Sequence, residues 1–135
     1  MNATRTRTSA WLAAIVIVHL VISLIHGAAH SGAAVFLSPA GNLFVWLVIL
    51  AGPLAGLVLQ RMAGAVGAWL VALTMAAACV FGIVNHFVIQ SADHVEHVVG
   101  PWSTTFALTA VLLALTEAAG AGVGVWSALQ GKRTS

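Results

Sequence analysis

Four long apolar stretches, separated by short polar segments, constrain this chain more than any other feature of its sequence. A helix needs about 20 mostly apolar residues to cross a bilayer, and the stretches at about 10–29, 43–60, 66–90 and 104–127 meet that need. Lipid offers no partners for the polar groups of an open strand, and the alternating pattern of a membrane barrel is absent. The sequence therefore predicts an all-α fold, an integral membrane four-helix bundle that forms a single domain over residues 1–135.

The composition excludes several classes of protein. Charged residues make up 6% of the chain and hydrophobic residues 61%, whereas a soluble domain carries about 25% charged residues. Disordered chains are rich in charge and poor in apolar residues, so disorder is excluded as well. Five basic residues in three separate places form no patch that could follow phosphates, so we expect no nucleic-acid partner. The expected partner is the lipid bilayer, with a homo-oligomer or a larger membrane complex left open.

The basic residues predict the orientation of the four spans. They lie before the first span, between the second and third, and after the fourth: Arg5, Arg7, Arg61, Lys132 and Arg133. Lys and Arg stay on the cytoplasmic side of a membrane, so we expect both termini in the cytoplasm of a multi-pass protein in a bacterial-type inner (plasma) membrane. The N-terminal run also has features of a secretory signal peptide, but it is about 20 residues long and contains histidines, which favours a span.

Histidines in the first span form one polar stripe. His26 and His30 follow His19 by 7 and 11 residues, so on a helix the three lie within an arc of about 40°. Ionisable residues inside a bilayer are costly and indicate a functional site. His26 and His30, four residues apart, can hold one metal ion, as in the helix of zinc proteases. His19 is about 10.5 Å deeper and cannot share that ion.

The tryptophans near the span ends give a scale of depth, because indole prefers the headgroup level. Counted from the tryptophan at the cytoplasmic end of each span, His26 lies about 22 Å and His86 about 25 Å away. His19 and Glu117 lie about 12 Å and about 13.5 Å away on the same scale. The scale predicts an outer level with His26 and His86 and an inner level with His19 and Glu117. A rival alignment of residues 19–30 with 86–97 suggests a parallel duplication of two spans and pairs His19 with His86 instead.

The histidines at the outer level predict a cofactor site. Imidazole is the commonest metal ligand, and a site without Cys or Met suits Zn, Fe or Cu(II) better than Cu(I). Two facing histidines, His26 and His86, would also serve as the axial ligands of a haem b. The inner pair, His19 and Glu117, is predicted to be a proton relay or a buried polar pair. The predicted metal ligands, with residues that could orient them, are His26, His30, His86, Asp93, His94 and His97.

These features favour a small polytopic membrane protein that binds a transition metal or b-type haem near its extracytoplasmic face, for redox or metal handling. Two alternatives stay open at this point. One is a proton- or metal-ion-conducting protein that uses the His/Glu relay, and the other is a structural accessory subunit of a larger membrane complex. The sequence contains no nucleophile elbow and no phosphate-binding Gly-rich loop, so it assigns no enzymatic activity.

Overall fold

Four long helices account for all regular structure in the described part of the chain. The computed structural model describes residues 3–131, with side chains from residue 7 to residue 130. Each helix is long and apolar enough to cross a membrane, so the predicted class, an all-α membrane four-helix bundle, is confirmed. The helices are α1 (Ala3–Gly32), α2 (Pro39–Ala63), α3 (Ala65–Val88) and α4 (Ser103–Gly131).

The predicted orientation of the bundle rests on five basic residues, and the side chains of three of them lie outside the part of the chain that the structure describes. The side chains of Arg5, Lys132 and Arg133 lie outside the described residues. Placement of both termini in the cytoplasm therefore stays a prediction.

Local sequence explains both the start and the irregularity of α2. The hydroxyl of Ser38 accepts a hydrogen bond from the Gly41 N–H at 3.1 Å, and Pro39 occupies the first helical position, where a missing N–H costs nothing. Further along, Pro53 cannot donate to the helical ladder. The ladder widens into a π-helical segment, Val45–Ala51, just before it, which is a common way for a helix to absorb such a defect.

Small residues bring α2, α3 and α4 into close contact. A single residue, Gly64, joins α2 to α3 with a positive φ of 50°, a conformation that glycine adopts readily. A Cβ atom on Gly56 would lie 2.6 Å from Val71 Cγ2, and one on Gly124 would lie 2.9 Å from Ala72 Cβ. These glycines therefore let the helix backbones approach closely, as is usual in lipid.

The order of packing leaves α1 and α2 largely apart. The helix α4 packs against α1 and α3, and α3 packs against α2, whereas α1 meets α2 mainly along Gly52–Ala63. The half of the bundle near the chain termini is filled by buried apolar side chains: Leu12, Val16, Ala68, Val71, Met75 and Ala128. A second apolar cluster closes the opposite end: Ala29, Val35, Val98 and Phe106. The buried polar residues His19, His26, Thr109 and Glu117 lie between these two layers.

Candidate metal centre

Three imidazoles converge between α1, α3 and α4. His26, His30 and His86 each offer one ring nitrogen, and these atoms lie within 4.8 Å of one another. The closest pair is His26 Nε2 and His86 Nε2, 3.2 Å apart. His26 and His86 are buried and His30 is half-buried. This contact agrees with the depth scale, which placed His26 and His86 at one level. It disagrees with the rival alignment, which paired His19 with His86.

The geometry of α1 and α3 explains why the three imidazole rings meet. His26 and His30 are neighbours on one face of α1 because they are four residues apart, and their ring centroids are 4.8 Å apart. His86 lies in the π-helical last turn of α3, Val84–Val88. Such turns are rare and occur often at functional sites. The loop after α3 returns to the bundle, where the Val95 N–H donates to the His86 carbonyl at 3.0 Å.

The Nδ1 atom of every one of these rings has a partner outside the cluster. His30 Nδ1 donates to the Val35 carbonyl at 3.1 Å, and His86 Nδ1 donates to the Asp93 carbonyl at 3.0 Å. A carbonyl oxygen can only accept, so in both rings the proton is assigned to Nδ1. In the neutral form the Nε2 atoms of His30 and His86 are then bare lone pairs.

His26 has the same tautomer as His30 and His86, with its proton on Nδ1, and this follows from the hydrogen bonds of its partner. His26 Nδ1 lies 2.8 Å from Thr109 Oγ1. That hydroxyl lies 2.6 Å from the Thr105 carbonyl and has a single proton, which it donates there. Thr109 therefore accepts from His26 Nδ1, and the Nε2 lone pair of His26 faces that of His86. Two lone pairs at 3.2 Å repel each other unless a proton or a metal ion lies between them.

An acidic side chain adjoins the three rings. Asp93 is 8% exposed, and its Oδ1 lies 3.4 Å from both His30 Nε2 and His86 Nδ1. Among the described residues, neither of its carboxylate oxygens receives a hydrogen bond. A buried carboxylate without donors is costly, and a nearby cation compensates for it. The four side chains together form a concentration of lone pairs and negative charge that suits a cation.

The two remaining histidines of the predicted ligand set lie elsewhere. His94 Nε2 is 3.2 Å from the side-chain amide nitrogen of Gln90, and the exposed His97 donates from Nδ1 to the Ser91 carbonyl at 2.6 Å. Their ring centroids are 5.3 Å apart, and neither ring belongs to the three-imidazole group. The structure thus brings Asp93 to the centre but leaves His94 and His97 in a separate pair in the loop.

The inner pair lies deeper in the bundle. His19 Nε2 is 3.1 Å from Glu117 Oε1 and 3.3 Å from Ser23 Oγ. His19 is 0% and Glu117 2% exposed. These two side chains were expected at one level, and they are in direct contact there. His19 Nδ1 is buried and has no hydrogen-bond partner among the described residues.

Sequence reasoning missed two residues that shape the centre. Thr109 supports His26, and the Phe106 ring lies against all three imidazoles with centroids 4.7–5.3 Å away. Thr109 could have been found, because it lies eight residues before Glu117. At about 1.5 Å per residue that is about 12 Å further out, close to the level of His26.

Comparison with known proteins identifies no relative of this chain. No protein-family model matches the chain, and no curated protein or solved structure is significantly similar to it. The function is therefore argued from the geometry and chemistry of the site.

Proposed function

We propose that this membrane protein binds one divalent transition-metal ion through the Nε2 atoms of His26, His30 and His86. The proposal rests on one observation, which is that all three rings have the same tautomer, with the proton on Nδ1. Each Nδ1 has an acceptor outside the cluster, so each Nε2 is free to ligate. Metal-binding histidines almost always donate their other ring N–H in this way, which fixes the orientation of the ring.

The distances also support an ion. Zn–N bonds of about 2.0–2.1 Å in tetrahedral geometry separate two ligand nitrogens by about 3.3–3.4 Å. His26 Nε2 and His86 Nε2 are 3.2 Å apart, and His30 Nε2 and Asp93 Oδ1 are 3.4 Å apart. The remaining ligand nitrogens lie within 4.8 Å of one another, so on binding they would have to approach by up to about 1.4 Å. Asp93 would act as a fourth ligand or as the counter-charge that holds His30 and His86.

The donor set favours Zn, Fe or Cu(II). Nitrogen and carboxylate oxygen suit these ions, whereas Cu(I) prefers sulfur. Cys79 lies away from the group, with its Sγ 3.5 Å from the Ala114 carbonyl, and Met75 belongs to the apolar core. With three histidines as ligands, one position would stay open for exchange or redox chemistry, as in catalytic zinc sites.

We favour a single ion over haem. A bis-histidine haem needs room for a wide macrocycle between its two axial rings. Around His26 and His86 that room is taken, because the His30 ring lies 4.8 Å and 5.7 Å from them and the Phe106 ring 4.9 Å and 5.3 Å. Haem binding would require both of these rings to move aside.

We also favour a fixed site over ion conduction. On the inner side of His19 the core of the described bundle consists of fully buried apolar side chains, among them Leu12, Val16 and Met75. A proton leaving the His19–Glu117 pair inward would meet these apolar side chains first, so the pair serves the proposed function as a buried polar contact. With both termini in the cytoplasm of a bacterial-type plasma membrane, the metal centre would face the outer side.

Metal analysis of the purified protein tests the proposal. After treatment with a chelator and reloading with Zn²⁺, we expect about one ion per chain, and loss of the ion in His26→Ala and in His86→Ala. The exposed His97 offers the matched control, since His97→Ala should keep the ion. Full occupancy in both cluster variants would refute these ligands. Helix content and elution volume must match the parent protein, so that metal loss is not confused with unfolding.

A further inference from the structure

A cavity connects the proposed metal centre with the outside of the bundle. Its volume is about 450 Å³, in the range of sites for small organic molecules. Most of its wall is apolar: Leu24 on α1 and Trp46 and Leu50 on α2 line one side, and Phe81 on α3 and Leu113 on α4 line the other. Its inner end is polar and contains the three histidines of the centre, Asp93 and Glu117.

The mouth of this cavity lies between α1 and α2. These helices meet mainly along Gly52–Ala63, so their outer halves leave a gap. Leu24 and Trp46, on either side of the gap, are 68% and 66% exposed. When the four helices span a bilayer, this opening faces acyl chains rather than water. The short segment after α1, with Val35 and Phe36, closes the cavity toward the outer surface.

The two ends of the cavity differ in chemistry, and the ligand must match both. The apolar mouth suits a hydrocarbon chain. The far end holds imidazole nitrogens and the Asp93 carboxylate, which is nine-tenths buried and receives no hydrogen bond from any residue that the structure describes. With Asp93 as the counter-charge and three histidines as the protein ligands, the metal ion leaves one position there for an oxygen ligand. A molecule with a long chain and an oxygen-bearing head satisfies both ends at once.

We propose that the cavity takes up, from the bilayer, a lipid-soluble molecule whose head group binds the metal ion through oxygen. This inference rests on the proposed metal site and names its substrate class. A quinone and a fatty-acid carboxylate share the required chemistry, a ligating oxygen at the end of an apolar chain. The ligand reaches the centre through the gap between α1 and α2.

The test uses the full chain in lipid nanodiscs loaded with Co²⁺, whose visible spectrum reports a change of ligand. Decanohydroxamic acid is the lipid-soluble probe, and acetohydroxamic acid carries the same head without the chain. We expect the decyl probe to shift the Co²⁺ bands at a concentration at least about tenfold lower, because its chain occupies the apolar wall. Equal potency of the two probes would overturn the proposal.

A pair of glycine variants locates the route. A Cβ atom on Gly27, at the cavity wall, or on Gly122, on an exposed face outside the cavity, would meet no atom within 4 Å. Gly27→Phe should therefore keep Co²⁺ but lower the potency of the decyl probe at least about tenfold. Gly122→Phe should behave as the parent protein. An unchanged response in Gly27→Phe would contradict entry through this gap.

The outcome separates the two proposals. If the parent protein holds no Co²⁺, the metal site is refuted, and the cavity is judged by a brominated decyl probe that quenches tryptophan. Saturable quenching that disappears in both Trp46→Phe and Gly27→Phe supports a chain-binding cavity, and its absence overturns it. If Co²⁺ binds, competition of decanoic acid and of a decyl-substituted benzoquinone against the hydroxamate identifies the head group.

Discussion

The hydroxyl of Thr109 is expected to control metal affinity, although it lies beyond bonding reach of the ion. It accepts the Nδ1 proton of His26 at 2.8 Å and donates its own proton to the Thr105 carbonyl. Replacing it with valine keeps the shape of the side chain and removes the acceptor. The His26 proton then moves to Nε2, where it can be donated to His86 Nε2 at 3.2 Å. This tautomer blocks one ligand and must be reversed before the ion binds.

The size of the expected loss in metal affinity follows from the loss of the hydrogen bond that supports His26. A supporting hydrogen bond to a ligating histidine is worth about 10–100-fold in metal affinity, which equals about 1.4–2.8 kcal/mol. We therefore expect Thr109→Val to raise the Kd for Zn²⁺ by that factor, measured by competition with a chelator of known affinity. Nitrogen NMR of the labelled imidazoles should show the shift of the His26 proton from Nδ1 to Nε2 in the metal-free protein.

The chain provides a closely matched control. Thr116 lies on the same helix and donates to the carbonyls of Leu112 and Leu113 as Thr109 does to those of Thr105 and Phe106. Thr116 is half-buried and distant from the three rings, so Thr116→Val carries the same change in helix propensity without the loss of an imidazole partner. Equal affinities of the two variants would refute the argument from the tautomer.

Two further predictions concern the inner pair and the orientation. Glu117→Leu should lower the free energy of unfolding by about 1–3 kcal/mol in a denaturant titration, because it leaves the buried His19 without its carboxylate partner. The metal content should stay the same, since neither His19 nor Glu117 belongs to the group of three imidazoles. For orientation, a membrane-impermeant maleimide should label Val99→Cys in intact cells but label Met62→Cys only after lysis, since both positions are 80% exposed and lie at opposite ends of the bundle.

Each of these tests has its own control. Glu117→Gln keeps a hydrogen-bonding side chain and should lose less stability than Glu117→Leu, and a loss of metal in Glu117→Gln would mean that the inner and outer levels are coupled. The labelling is done in a Cys79→Ala background, because Cys79 is the only cysteine of the chain. Labelling of Met62→Cys before lysis would contradict cytoplasmic termini.

Helix-level features of this protein follow from its sequence because they depend on periodicity and rise. The count of four helices comes from apolar length, and the pairing of His26 with His86 and of His19 with Glu117 comes from about 1.5 Å per residue. The same rule would have placed Thr109 near His26, although Thr109 was not among the predicted site residues.

Features that depend on loops did not follow from the sequence. The return of the loop after α3 decides that Asp93 reaches the centre while His94 and His97 do not, and loop conformation carries no periodic signal. The Val35 carbonyl that supports His30 belongs to another such segment. The π-helical turn around His86 replaces regular α-helix within an apolar run, where the residue types are the same for both.

The single-residue turn at Gly64 has a consequence for biogenesis. With one residue between them, α2 and α3 have no length of chain that would let one enter the membrane and fold without the other, so we expect them to insert as a hairpin. His26 and His30 are already in place on α1, His86 arrives with the hairpin, and Thr109 arrives with the last helix. A product that ends before the last helix has all three ligands but lacks the hydroxyl that supports His26, so it would bind the ion more weakly, and tight binding would mark the molecules whose last helix has inserted.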